Sequence, residues 1–375
     1  ARSMTFPSEL MGQLIRFVSS HEVGHTLGLR HNFGATSYYS TEQLRNPEFL
    51  RANGHTTSIM DYSRFNFVVQ PGDNIPTDLL YPRLSHYDYW AIEWGYRRFY
   101  QFAQAQQEIP YLNQWVIEKT GDPYLRFNGG AESGLNDPRA QAEDLGENQM
   151  ETCELGIRNL KVIVQNLPEW TKVPNENYRG LSTLYPQITS QFSRYLGHVS
   201  SWVAGVYTDA KTVEQEGPVY VPVPKNRQKE AMAFLNRHIF TTPLWLLPDY
   251  LSELLPSSRL TVMENIQKGA INGLLNVNVL VRMLRAEEQL GTSTYSATEF
   301  FEDMNGYVFG DYGQTDIYRR SLQNIYVNTL CKIIKPDEET GSDLLPTMRR
   351  MTVSIENNDV KALVSAELET VILRM

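Results

Sequence analysis

His21-Glu22-Val23-Gly24-His25 sets two imidazoles four residues apart, and Gly28 and His31 extend the pattern to H-E-x-x-H-x-x-G-x-x-H. Residues four apart share one face of a helix, so His21 and His25 can reach a single metal ion with Glu22 beside it. Gly28 is the residue type that lets a helix end in a sharp turn, and such a turn returns a third imidazole to the same point. Three neutral nitrogen ligands leave the fourth tetrahedral position of Zn²⁺ open to water, which is the pattern of a catalytic site. The chemistry implied is hydrolysis. The metal lowers the pKa of water, and Glu22 takes the proton as general base. With seven histidines in the chain, H-E-x-x-H alone arises by accident in roughly one sequence in a hundred. Requiring Gly28 and His31 as well reduces that to roughly one in a hundred thousand.

The other titratable candidates read as bland. His55 and His86 lie in or beside polar loops and are expected to face solvent. His198 and His238 fall in helical segments and receive no role. Glu42 or Glu48 could replace His31 as third ligand, but their surroundings do not read as the second helix such a site needs.

The elements that must carry these residues follow from periodicity. Leu10, Leu14, Phe17, Val18 and Leu27 predict a helix from Glu9 to Leu29, started near Pro7-Ser8. From Gly34 to Leu84 periodicity vanishes, and turn residues such as Asn53-Gly54 and Gln70-Pro71-Gly72-Asp73 accumulate. Ser85 to Tyr100 reads as a helix with Ser85 or Asp88 near its start. An irregular stretch from Thr120 to Pro138 ends in Asn136-Asp137-Pro138, a helix-start signal. The domain boundary is placed there, giving residues 1–120 and 121–375. Beyond it, apolar stripes from Met150 to Leu167, Leu184 to Val206 and Met263 to Leu284 predict packed helices. Others are expected near Ile317–Ile334 and from Val360 to Ile372. Val219-Tyr220-Val221-Pro222-Val223-Pro224 is extended, and its prolines confine it to an edge. The fold class is mainly α with little strand.

Composition excludes more than it assigns. At 375 residues, 41% hydrophobic and 21% charged, the chain is neither disordered nor fibrous, and its length suits two or three domains. No apolar run is long enough to cross a membrane as a helix. A net charge of −9 without a basic run argues against a nucleic-acid or anionic-membrane partner. Cys153 and Cys331 cannot make a disulfide framework. They form at most one bridge, or stand as two buried thiols on helices. No signal peptide is visible in these residues.

Ser58-Ile59-Met60-Asp61-Tyr62 follows the histidines after a few tens of irregular residues, and with it the sequence resembles the metzincin clan of zinc metallopeptidases. The resemblance implies that Met60 forms an apolar floor beneath the histidines. It implies that Tyr62 acts as a movable ligand that stabilises the tetrahedral intermediate, as in astacin-like and serralysin-like members. It reads Ser85-His86-Tyr87-Asp88, Ala91-Ile92 and Gly95-Tyr96 as a structural helix closing the lower subdomain. The chain looks closest to large bacterial zinc-dependent metalloproteases of the met-zincin type, through His25-Thr26-Leu27-Gly28-Leu29-Arg30-His31-Asn32-Phe33, the Met-turn, and Gly217-Pro218-Val219-Tyr220 with Val223-Pro224. A secreted, cell-surface or periplasmic location and a protein or peptide substrate are implied by the resemblance.

The departure from the clan is at the front. Only twenty residues precede His21, too few for the upper sheet whose edge strand would bind an extended peptide. The chain is therefore expected to be a fragment with little activity by itself. Leu14 or Phe17 would be left exposed, and the first helix prone to self-association. The rival to a zinc endopeptidase is a non-catalytic protein that keeps zinc for stability while its helical half recruits a partner. An intact Glu22 favours the enzyme.

Overall fold

The computed structural model describes residues 6–134, 136–310, 316–334 and 355–374. They are mostly helical, with one two-stranded ribbon. The chain divides into two compact units. One holds residues 1–171 and 206–221, and the other holds 172–205 and 222–375. The segment 120–138 lies inside the first unit. Asn136-Asp137-Pro138 starts only a turn, in which Asp137 accepts from the Arg139 amide at 2.9 Å and the Ala140 amide donates to Asp137 O at 3.0 Å. Asp137 accepts from the Thr208 amide at 2.8 Å and pairs with Arg139 at 2.7 Å. The next helix begins only at Gln149.

The first unit opens with α1 (Ser8–Thr26), which starts after Pro7 as the missing proline N–H allows. It stops at Thr26, short of Leu29, because Gly28 takes φ +84°. The Gly28 amide donates to His25 O and the Leu29 amide to Gly24 O, a paired closure that satisfies the last carbonyls of the helix. The stretch from 34 to 84 contains two short helices that periodicity could not reveal. They are α2 (Thr41–Leu44), closed by a Ser40/Gln43 capping box, and α3 (Pro47–Asn53), capped by Asn46 with Pro47 in its first turn. Then come α4 (His86–Tyr96) and α5 (Glu108–Lys119); Trp90 of the first meets Trp115 of the second edge to face, and Phe99 from the segment between them meets Tyr111 in the same way.

The last helix of this unit, α6 (Gln149–Trp170), is its main core element. Met150, Cys153, Ile157, Leu160, Val164 and Leu167 are buried along one stripe. Leu155 joins a cluster with Tyr39, Leu44, Val68 and Leu145. The Asn159 side chain donates to the carbonyls of Phe67 and Val69, pinning an otherwise irregular loop to the helix. Strands β1 (Val206–Thr208) and β2 (Tyr220–Pro222) pair as a ribbon, so the proline-rich segment does lie on an edge.

The second unit is built from α7 (Arg179–Ser200), α8 (Lys225–Leu235), a π-helical turn at Asn236–Phe240, α9 (Tyr250–Leu254), α10 (Arg259–Leu274), α11 (Val277–Leu290), α12 (Ala297–Phe309), α13 (Ile317–Ile334) and α14 (Ile355–Arg374). α10 packs on both α7 and α13. The single stripe read from Met263 to Leu284 is broken into α10 and α11. Asn276 caps the second by accepting from the Asn278 amide. Both cysteines are free. Cys153 is buried on α6, whereas Cys331 on α13 is exposed rather than buried. Among the described residues, no helix is long and apolar enough to cross a membrane.

Candidate metal centre

His21 and His25 lie one turn apart on α1, and the turn at Gly28 brings His31 back to them. Their ligand atoms all fall within 4.8 Å of one another, and among the described residues no other group of metal-ligating side chains forms such a cluster. Each ring is oriented through Nδ1. His21 Nδ1 lies 2.7 Å from Ile59 O, His25 Nδ1 lies 2.9 Å from Leu29 O, and His31 Nδ1 lies 2.7 and 2.8 Å from the two oxygens of Glu132. All three partners are acceptors, so each Nδ1 carries a proton, and in the neutral ring each Nε2 is left with a lone pair.

That arrangement fits a metal ion. His25 Nε2 and His31 Nε2 are only 3.1 Å apart, and His21 Nε2 is buried without a hydrogen-bond partner. Lone pairs so placed repel one another unless a cation sits among them. Tetrahedral Zn–N bonds of about 2.0–2.1 Å would set neighbouring nitrogens roughly 3.3 Å apart. Burial lowers the pKa of His21, partly offset by the Ile59 carbonyl, which favours the neutral, ligating form.

The site's support begins with the turn Ser58–Met60, anchored by Asp88 of α4. Asp88 accepts from Ser58 Oγ at 2.6 Å, from the Ile59 amide at 2.9 Å and from the Ser85 amide at 2.9 Å. Ser58 Oγ in turn accepts from the Met60 amide at 3.0 Å. The carbonyl that orients His21 therefore belongs to a turn fixed by a buried carboxylate thirty residues downstream. Met60 is fully buried against α1. A Cβ on Gly24 would lie 2.3 Å from Met60 Sδ, so the residue between the two helical histidines must be glycine for Met60 to pack there.

Tyr62 stands at the rim, 39% exposed, with its ring centroid 4.4 Å from His31 and 5.4 Å from His21. Burial raises its phenol pKa, and the charges of Glu132 and Glu22 add to that. Glu22 is exposed and makes no hydrogen bond or ion pair among the described residues. A family model described as Met-zincin matches residues 3–316.

The chain belongs to the Met-zincin family. No curated protein and no solved structure gives a significant match to it. The remaining residues of this Met-zincin singled out from its sequence fall outside the cluster. Glu42 and Glu48 are exposed on α2 and α3. His86 is exposed and stacks on Tyr124. His55 is not the surface residue its polar neighbours suggest. It is completely buried with neither ring nitrogen bonded, and burial lowers its pKa to about 3, with the charge of Arg83 adding to the shift. His198 and His238 are buried in the second unit.

Sequence reasoning missed Glu132 and Asp88 as parts of this Met-zincin's site. Glu132 sits in an irregular glycine-rich segment a hundred residues from its partner, where no periodicity marks it. Asp88 was visible as a helix-start residue, but its second duty depends on where the 58–60 turn lands.

Two further carboxylates lie behind the centre. Asp144 accepts from Thr36 Oγ1 at 2.8 Å and Gln149 Nε2 at 2.9 Å, yet burial pushes its pKa up to about 7. Asp61 is fully buried and held well above the usual range by burial and then by Asp144.

Proposed function

We propose that the chain carries the zinc centre of an endopeptidase that hydrolyses peptide bonds. The observation that carries this reading is the set of three Nε2 lone pairs turned toward one point beside the uncommitted Glu22 carboxylate. Zinc held by His21, His25 and His31 would supply Lewis acidity, making a water molecule acidic near neutral pH and polarising a scissile carbonyl. Glu22 takes the water's proton and later delivers it to the leaving amine. The Tyr62 hydroxyl donates a hydrogen bond to the oxyanion that develops on the substrate. Met60 forms the apolar floor of the Met-turn, and Gly28 ends the zinc helix so that His31 can join. In this reading the substrate is a protein or peptide met outside the cytoplasm, as the family resemblance implies.

A zinc-stabilised scaffold is the competing class. It has no use for an exposed carboxylate with no partner beside the histidines, and that residue favours catalysis. The test is metal content and casein cleavage of the wild type and of His31→Ala. About one zinc per chain in the wild type and severe loss in His31→Ala are expected. Full zinc occupancy in His31→Ala would remove the third ligand from this account.

A further inference from the structure

Two of the three histidines are oriented by backbone carbonyls, but His31 is oriented by an anion. The Glu132 carboxylate straddles Nδ1, with both oxygens within 2.8 Å, and remains half exposed on its other side. Unlike His21 and His25, His31 lies beyond the end of α1, in a segment with no helical hydrogen bonds to hold it. Its ring needs a fixed partner from elsewhere in the fold.

The segment that carries Glu132 is built to reach this place. Asn32, directly after His31, is fully buried and works in both directions. Its Nδ2 donates to Arg126 O at 2.9 Å, and its Oδ1 accepts from the Asn128 amide at 2.9 Å. The Gly34 amide donates to Asn128 O at 3.0 Å. Asn128 Oδ1 then accepts from the Gly130 amide at 2.9 Å, opening the short 3₁₀ turn Gly130–Ser133 on which Glu132 sits. Asn32 and the Gly34 amide thus tie the two segments together, and Asn128 carries that tie on to the turn that presents Glu132.

We infer that Glu132 is a positioning residue for the metal centre. Its carboxylate fixes the Nδ1–H tautomer of His31, aims Nε2 at the metal, and makes that imidazole the strongest electron donor of the three. Neutral backbone carbonyls orient the other two rings without adding charge. A carboxylate behind a ligating histidine also offsets part of the metal's positive charge across the ring. The inference rests on the reading of His21, His25 and His31 as metal ligands and extends it to a residue outside the motif.

The experiment is a chelator-competition titration of zinc on the full chain, comparing wild type, Glu132→Gln, Glu132→Ala and the control Glu93→Gln. Glu93 on α4 pairs with Arg97 just beyond that helix, so its variant removes the same charge away from the centre. Glu132→Ala should weaken zinc binding about 10- to 100-fold, the range typical of lost outer partners. Glu132→Gln, whose amide oxygen still accepts from Nδ1–H, should lose less, and Glu93→Gln should match the wild type. A spectroscopic reading separates orientation from general damage. The zinc-loaded wild type should show a downfield His31 Nδ1–H proton resonance that is weakened in the Gln variant and missing in the Ala variant. The inference is overturned if Glu132→Ala binds zinc within twofold of the wild type, or keeps that resonance. If the wild type and Glu93→Gln bind no zinc, the metal reading itself fails and this inference falls with it.

Discussion

Helices α1 and α6 belong to the same unit, yet they are held there by different means. α1 buries His21 and Gly24 and leaves Met11, Ile15, Val18 and Val23 exposed, while Leu14 and Phe17 are only half covered. The residues expected to be bare are thus the better protected ones, because the helix rotates its polar motif, not its apolar stripe, toward the unit. α6 does the reverse, burying an unbroken apolar stripe and meeting the Tyr39–Leu145 cluster through Leu155. Contacts at the C-terminal end of α1 are mostly polar or belong to the site, among them His21 with Ile59 O, His25 with Leu29 O, and Tyr96 Oη donating to Leu27 O at 3.1 Å. A helix fastened by its functional groups should report on chemistry when altered, and a helix fastened by its core should report on stability.

The largest effect should come from Glu22→Gln. Peptide cleavage should fall roughly 10²- to 10⁴-fold, with zinc content and thermal midpoint close to those of the wild type, since Glu22 is exposed and unpartnered. A matching collapse of the thermal midpoint would erase the distinction between the two helices.

On α6, Leu155→Ala should lower the unfolding free energy by about 2–5 kcal/mol through cavity formation. The zinc affinity of the folded protein should barely change. The mirror substitution on α1, Ile15→Ala, should cost under about 0.5 kcal/mol, as exposed positions do. Denaturant titrations of the two variants check the contrast directly, and a larger loss at Ile15 would reverse it.

The pH dependence of stability should divide along the same line. Asp144 receives the first side chain of α6, Gln149, and its pKa rises from 3.8 to about 7. A raised pKa contributes stability that is complete below 3.8 and is lost as pH climbs through about 7. His55 lies just before the turn that orients His21, and its pKa is lowered from 6.5 to about 3. Its contribution is complete above 6.5 and is lost as pH falls toward 3. Asp144→Asn should therefore flatten the decline in thermal midpoint between about pH 4 and 7. His55→Leu should flatten the decline below pH 6.5. Parallel pH profiles for wild type and both variants would contradict these assignments.

The smallest expected effect is at Gly24. An alanine there must displace Met60 Sδ, while its better helix propensity returns about 0.5–1 kcal/mol. Stability should stay nearly level while zinc affinity drops a few-fold. A Gly24→Ala variant with unchanged zinc affinity would show that Met60 can move without disturbing the histidines.

Local spacing alone places His21 and His25 on one helical face with Glu22 beside them, because a helix brings residues four apart together whatever surrounds it. The stop at Gly28 is equally local, since φ +84° is a property of one residue type. The core stripe of α6 and the proline-limited edge at β2 were readable for the same reason: periodicity and ring geometry act within a few residues. What lay beyond reach were the contacts that cross long stretches of chain without a repeating pattern. The Glu132 carboxylate on His31, the Asp88 anchor of the 58–60 turn and the complete burial of His55 depend on where irregular segments come to rest. That placement is decided by networks of buried polar groups such as Asn32 with Arg126 and Asn128, whose partners are chosen only when the whole unit closes around them.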